Sequence, residues 1–157
     1  MLIRSIDLMA NHKLLHKTLA LNSPTQRQGS LFEQQACEFL QRQGLRLLAQ
    51  NWQQPKIGEL DLVMLETGPA WSTLVFIEVR QRQRSGFGDA ALSVTPSKQR
   101  KVIKTAKYFL QQHPEYAHYD CRFDVIVYNT TSKMPLKGRL IDNQPEWLQG
   151  AFIANAW

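Results

Sequence analysis

Gly58-Glu59-Leu60-Asp61-Leu62-Val63-Met64-Leu65-Glu66, then Gly68 and Pro69, then Leu74-Val75-Phe76-Ile77-Glu78-Val79-Arg80: two runs of mostly branched apolar residues, separated by turn formers, read as two strands joined by a loop. Side chains alternate along a strand, so Asp61 is expected on the face of Glu59 and Val63, and Glu78 on the face of Phe76 and Arg80. Paired as a hairpin, the runs bring Asp61 and Glu78 to one side. Two converging carboxylates offer the hard oxygens that Mg²⁺ takes, with Mn²⁺ as a substitute. The neighbouring Arg80 guanidinium suits a phosphate. Glu78 lies within an apolar run, where an ionised carboxylate is costly unless a cation partners it.

Outward from this hairpin the chain reads as alternating helices and strands. Ser30-Leu31-Phe32-Glu33 has the form of a capping box, which would start a helix near Ser30 and give Glu33 a structural task. Phe32, Ala36, Phe39 and Leu40 supply its apolar stripe, and Gly44 its left-handed end. Upstream, a short helical segment between His12 and Leu21 is expected to stop at Asn22-Ser23-Pro24-Thr25. Residues 1–28 are therefore set apart as an N-terminal extension, and 29–157 as the domain. Leu45 to Trp52 reads as a strand, with Pro55 and Gly58 turning into the next. Thr95-Pro96 opens a second helix, whose stripe is Val102, Ala106, Phe109 and Leu110, and Pro114 bounds it. Cys121 to Tyr128 is a further strand, with Asp124 opposite Phe123, Val125 and Val127. Asp124 reads as a cap or strand-edge residue that pairs with Arg122. Lys137 to Asn143 is a marginal strand. Trp147, Phe152 and Trp157 are expected to pack a short tail element on the core. The order helix, three strands, helix, strand implies one mixed α/β sheet flanked by helices.

The 157 residues are enough for one domain with a substantial core. No apolar run of roughly 18 residues occurs, which argues against a membrane span. The start lacks a secretory pattern. Cys37 and Cys121 have no metal-ligand spacing and read as buried free thiols of a cytoplasmic protein. The formal charge is +6, and residues 78–107 alone carry eight bases against Glu78 and Asp89. A polyanion, DNA or RNA, is the natural partner of such a cluster. Arg82, Arg84, Lys98, Arg100 and Lys101 are its candidate contacts. Phe87, between Gly86 and Gly88, is either a stacking platform for a base or a buried loop anchor.

Several ordered motifs carry a resemblance. They are Gly29-Ser30 with Glu33, Gly58-Glu59-Leu60-Asp61-Leu62, Phe76-Ile77-Glu78-Val79-Arg80, Phe87-Gly88, Ser93-Val94, Lys98-Gln99, Arg122-Phe123-Asp124-Val125 and Glu146-Trp147. Over about Gln28 to Phe152 the chain resembles the bacterial YraN-like family of the restriction-endonuclease-like superfamily. That superfamily carries an acidic residue on one strand and Glu-x-Lys on the next. The resemblance implies a restriction-endonuclease-like mixed sheet, with Asp61 and Glu78 as metal ligands and the Val79 carbonyl as a third. It also sets Glu33 at the place of a helix carboxylate seen near the site in some resolvase and exonuclease branches. Arg80 stands where lysine is usual, and Lys98 is the best candidate to restore an ammonium. The activity so implied is Mg²⁺-dependent phosphodiester hydrolysis, with branched DNA among the expected substrates. A nucleic-acid-binding module without hydrolysis, and a structural or protein-interaction domain, remain open beside it. So does a dimer formed through an apolar tail.

Overall fold

The computed structural model describes residues 24–83, 94–130 and 144–154. The expectations for residues 1–23, for Arg84, Phe87 and Ser93, for a strand over 137–143 and for Trp157 lie outside the described residues. Within them the elements are α1 (Pro24–Arg42), β1 (Arg46–Gln54), β2 (Gly58–Thr67), β3 (Ser72–Gln83), α2 (Pro96–Gln112), β4 (Asp120–Thr130) and β5 (Glu146–Phe152). The five strands form one sheet in sequence order. Every neighbouring pair is antiparallel except β3 and β4. A parallel pair needs a crossover, and α2 lies within that connection. This is the expected mixed α/β sheet in the order helix, three strands, helix, strand, with β5 added at the edge of β4.

Alternation along the strands divides the core into two layers. Leu62, Met64, Val75, Ile77, Ile126 and Tyr128 pack with Phe32, Ala36, Cys37 and Leu40 of α1. Val63, Leu74, Phe76, Phe123, Val125 and Val127 pack with Val102, Ala106 and Phe109 of α2. Thr95 caps α2 by accepting a hydrogen bond from the Lys98 N–H at 3.3 Å, and Pro96 stands in its first turn. Gly44 has φ +95°, the left-handed conformation expected after α1.

Several expectations need correction. α1 begins at Pro24, so Ser30 is interior and Glu33 is not part of a capping box. Proline is preorganised for a first helical turn, and the glutamines after it are good helix formers; together they override the local signal at Ser30. The expected division between residues 28 and 29 falls inside this helix. Asp124 is no edge residue: it is fully buried beneath β5. Its carboxylate accepts from Arg122 Nε and Nη2, from Trp147 Nε1 and from the Gly150 N–H, at 2.9–3.0 Å. Both cysteines are free; Cys37 is buried but Cys121 only half-buried. No helix among the described residues is long and apolar enough to cross a membrane.

Candidate functional site

The site forms where the sheet opens. The β2–β3 ladder runs from Thr67↔Ser72 to Leu62↔Ile77 and ends there, whereas β3 stays paired with β4 as far as Gln83↔Thr130. Asp61 and Glu78 are the next residues on the two parting strands. The Val79 N–H donates to Asp61 Oδ2 at 2.8 Å. A side chain thus replaces the backbone acceptor at the point where the strands separate. Alternation on β2 slips at the same place: Leu60 packs with Val63 on the α2 side, while Leu62 and Met64 pack on the α1 side. Across on β1, between the pairs Gln50↔Leu62 and Trp52↔Leu60, Asn51 has φ 51°. A non-glycine residue in that conformation is strained, asparagine least so.

Glu78 is almost fully buried. Its Oε1 meets Lys98 Nζ at 3.0 Å and Arg80 Nη1 at 3.6 Å. Its Oε2 is buried and has no hydrogen-bond partner among the described residues. Lys98 reaches it from the first turn of α2 because the Thr95 cap fixes where that helix begins. The closest partner of Glu78 is therefore the ammonium from α2, not the guanidinium two residues along its own strand.

Three carboxyls in this corner hold protons more tightly than usual. Burial, then the charge of Asp61, pushes Glu78 up to about 7 against the opposing pull of Lys98 and Arg80. Burial also raises Asp61, opposed by the Val79 N–H, Lys98 and Arg80. Glu33, on α1, is pushed up to about 7 by burial and by Asp61, while a hydrogen bond from the Asn51 side chain pulls it down and Glu59 adds to the rise. Crowded, desolvated carboxylates of this kind are relieved by protons or by a cation.

Asp61 and Glu78 suit a hard divalent cation. The unpartnered Glu78 Oε2 is a buried oxygen in need of a positive partner, and both side chains can only accept when ionised. Among the described residues no group of three or more His, Cys, Asp and Glu side chains forms a metal cage. Two carboxylates with the Val79 carbonyl would be a partial ligand set, which suits Mg²⁺ because that ion keeps several waters.

A model of the uncharacterised protein family UPF0102 matches residues 32–128, a span that holds Glu33, Asp61, Glu78, Arg80 and Lys98. The chain belongs to UPF0102. That family is the YraN-like group of the restriction-endonuclease-like superfamily. A UPF0102 protein of Psychrobacter cryohalolentis is 65% identical over 168 residues, covering 100% of this chain and 95% of the relative. One of Psychrobacter arcticus is 64% identical over 169 residues, with the same coverage. One of Pseudomonas putida is 45% identical over 131 residues, covering 83% of this chain and 95% of the relative.

In this UPF0102 chain the strand position usual for lysine holds Arg80, whose side chain is 42% exposed, while Lys98 is the nearer of the two cations at the buried carboxylate. Among the expected nucleic-acid contacts, Arg82 donates to Asn129 Oδ1 at 3.0 Å. Arg100 and Lys101 are exposed on α2, and only Lys101 lines the groove beside the β1–β2 turn. Arg84 and Phe87 lie outside the described residues. Sequence reasoning passed over Asn51. Its only signals were the imperfect alternation of β1 and asparagine's tolerance of positive φ.

Proposed function

We propose that this protein is a divalent-cation-dependent nuclease that hydrolyses phosphodiester bonds in DNA or RNA, branched DNA included, in the bacterial cytoplasm. One observation carries the reading. Asp61 is fixed by the Val79 N–H beside a buried Glu78 whose Oε2 has no partner and whose Oε1 faces Lys98. Asp61, Glu78 and the Val79 carbonyl would hold Mg²⁺ or Mn²⁺, and such an ion supplies Lewis-acid polarisation of the scissile phosphate and of the attacking water. Lys98 keeps an ammonium at the same carboxylate, where it can hold a non-bridging phosphate oxygen. Arg80 offers two donors to the charge that develops on the phosphate. Guanidinium stays protonated, so Arg80 is not the general base. Glu33, which is not among the ligands in this arrangement and is pushed up to about 7 in the cation-free protein by burial and the Asp61 charge, is placed to exchange a proton with the site.

The test is a cleavage panel of labelled flapped, four-way, duplex and single-stranded DNA and single-stranded RNA, with Mg²⁺ or Mn²⁺. Asp61→Asn and Glu78→Gln should each abolish cutting with the fold intact. Arg80→Ala should lower the single-turnover rate more than it weakens binding. Equal cutting by parent, Asp61→Asn and Glu78→Gln would mean a contaminant. A binding module without hydrolysis is favoured by one feature: Lys98 already neutralises Glu78 Oε1 as a cation would. Salt-sensitive binding with no cutting across the panel would select that reading.

A further inference from the structure

Three cations among the described residues are committed. Lys98 holds Glu78, Arg82 holds Asn129, and Arg122 bridges Glu66 and Asp124. A groove of about 590 Å³ between the β1–β2 turn and α2 is different. Lys56 and Lys101 line it, both are exposed, and neither has an ion pair with a described residue. We propose that this groove is a subsite for a backbone phosphate of nucleic acid flanking the scissile one, with Lys56 and Lys101 as its charged contacts. The nucleic-acid reading above supplies the class of ligand; the placement of the subsite rests on the groove itself.

Three features set that placement. Lys98, Lys101 and Thr105 fall on one stripe of α2, at spacings of three and four residues. Thr105 is buried at the β2 end of that stripe, where a Cβ on Gly58 would meet its Oγ1 at 2.5 Å and Lys101 Cε and Cγ at 3.2 and 3.3 Å. The aliphatic stem of Lys101 therefore lies along the Gly58 backbone, one helical turn from the ammonium at the candidate site. Across the groove, Lys56 is held in the turn with φ 64°. Glu59 lines the same groove and stands two residues from Asp61 on β2. Gln53 and Gln54 add neutral polar wall, and Gln54 Oε1 is braced by Gln112 Nε2 at 2.7 Å. An open groove with one lysine on each side, one helical turn along α2 from the ammonium that meets Glu78, matches an extended phosphodiester better than a small anion. Arg100 and Lys104 are equally exposed on α2 but do not line the groove.

The test compares Lys56→Gln, Lys101→Gln and the double variant with Lys104→Gln as the control. Fluorescence anisotropy would follow the full chain binding labelled single-stranded DNA, duplex DNA and single-stranded RNA in chelator, over a range of salt. Each groove variant should lower the slope of log affinity against log salt by about 0.7 on single strands or about 0.9 on duplex, the double variant by twice that, with the control unchanged. The arm showing these losses identifies the polymer. An unchanged slope in both single variants, an equal loss in Lys104→Gln, or no binding by the parent to any probe would overturn the proposal. Parent binding with the expected losses but no cutting in the cleavage panel would retain the subsite and reject the nuclease.

Discussion

Two buried carboxylates lie on neighbouring strands of one sheet and are treated in opposite ways. Asp124 on β4 receives four donors, from Arg122, Trp147 and the Gly150 backbone, and Arg122 is further tied to Glu66 at 2.6 Å. Glu78 on β3 shares one oxygen between Lys98 and Arg80, leaves the other without a partner among the described residues, and is repelled by the Asp61 charge. A buried charge with all its donors in place pins the structure together. A buried charge short of partners costs stability and persists where something else supplies the missing interaction. The first holds β5 to the sheet. The second is where a cation and a substrate would act.

The sharpest way to break the contrast is to remove each carboxylate in turn. Asp124→Ala should cost about 3–5 kcal/mol, since it leaves Arg122 partly covered and strips Trp147 and Gly150 of their acceptor. Urea denaturation would measure this, and a loss below about 1 kcal/mol would show that the network does not hold the fold. Glu78→Gln should behave oppositely in metal-free buffer at pH 8, gaining stability on the order of 1 kcal/mol, because a desolvated charge is removed and Lys98 remains hydrated.

Acidity supplies a second handle. Glu78 and Glu33 rise from 4.5 when unfolded to about 7 when folded. Between those values the folded state binds more protons, so the stability present below pH 4.5 is lost as the pH rises through about 7. The melting temperature in chelator should fall across that window. Glu78→Gln should flatten the slope, and a parent profile that rises there would contradict the assignment. The smallest expected effect concerns Asn51. Asn51→Gly keeps the positive φ without strain, so stability should stay within about 0.5 kcal/mol. Loss of the amide should nonetheless raise the Glu33 midpoint further, which a carbon-13 carboxyl titration would show. An unmoved midpoint would mean that Asn51 does not hold Glu33.

How much of this was legible depends on how far each signal reaches along the chain. Asp61 and Glu78 stand out because polar residues interrupt apolar strands, a pattern confined to a few positions. Thr95-Pro96 marks the start of α2, and with it the approach of Lys98. Ser30-Leu31-Phe32-Glu33 misleads because a capping box has the same letters inside a helix as at its start; only Pro24 decides, six residues upstream of Ser30. The role of Asp124 is set by Trp147 and Gly150, 23 and 26 residues away, which no local pattern announces. The slip of β2 at Asp61 arises from strand pairing and has no one-dimensional signature, and the left-handed Asn51 across from it is marked only by the imperfect alternation of β1 and by asparagine's tolerance of positive φ.

The under-partnered carboxylates of β2 and β3 are the proposed divalent-cation site. Binding of Mn²⁺ at pH 7.5, followed by loss of the free-ion electron paramagnetic resonance signal, tests it without knowledge of a substrate. Saturable binding by the parent that Mg²⁺ displaces, and that Asp61→Asn and Glu78→Gln each remove while folding is retained, is the expected result. No saturable binding by the parent, or binding that survives in both variants, would contradict it.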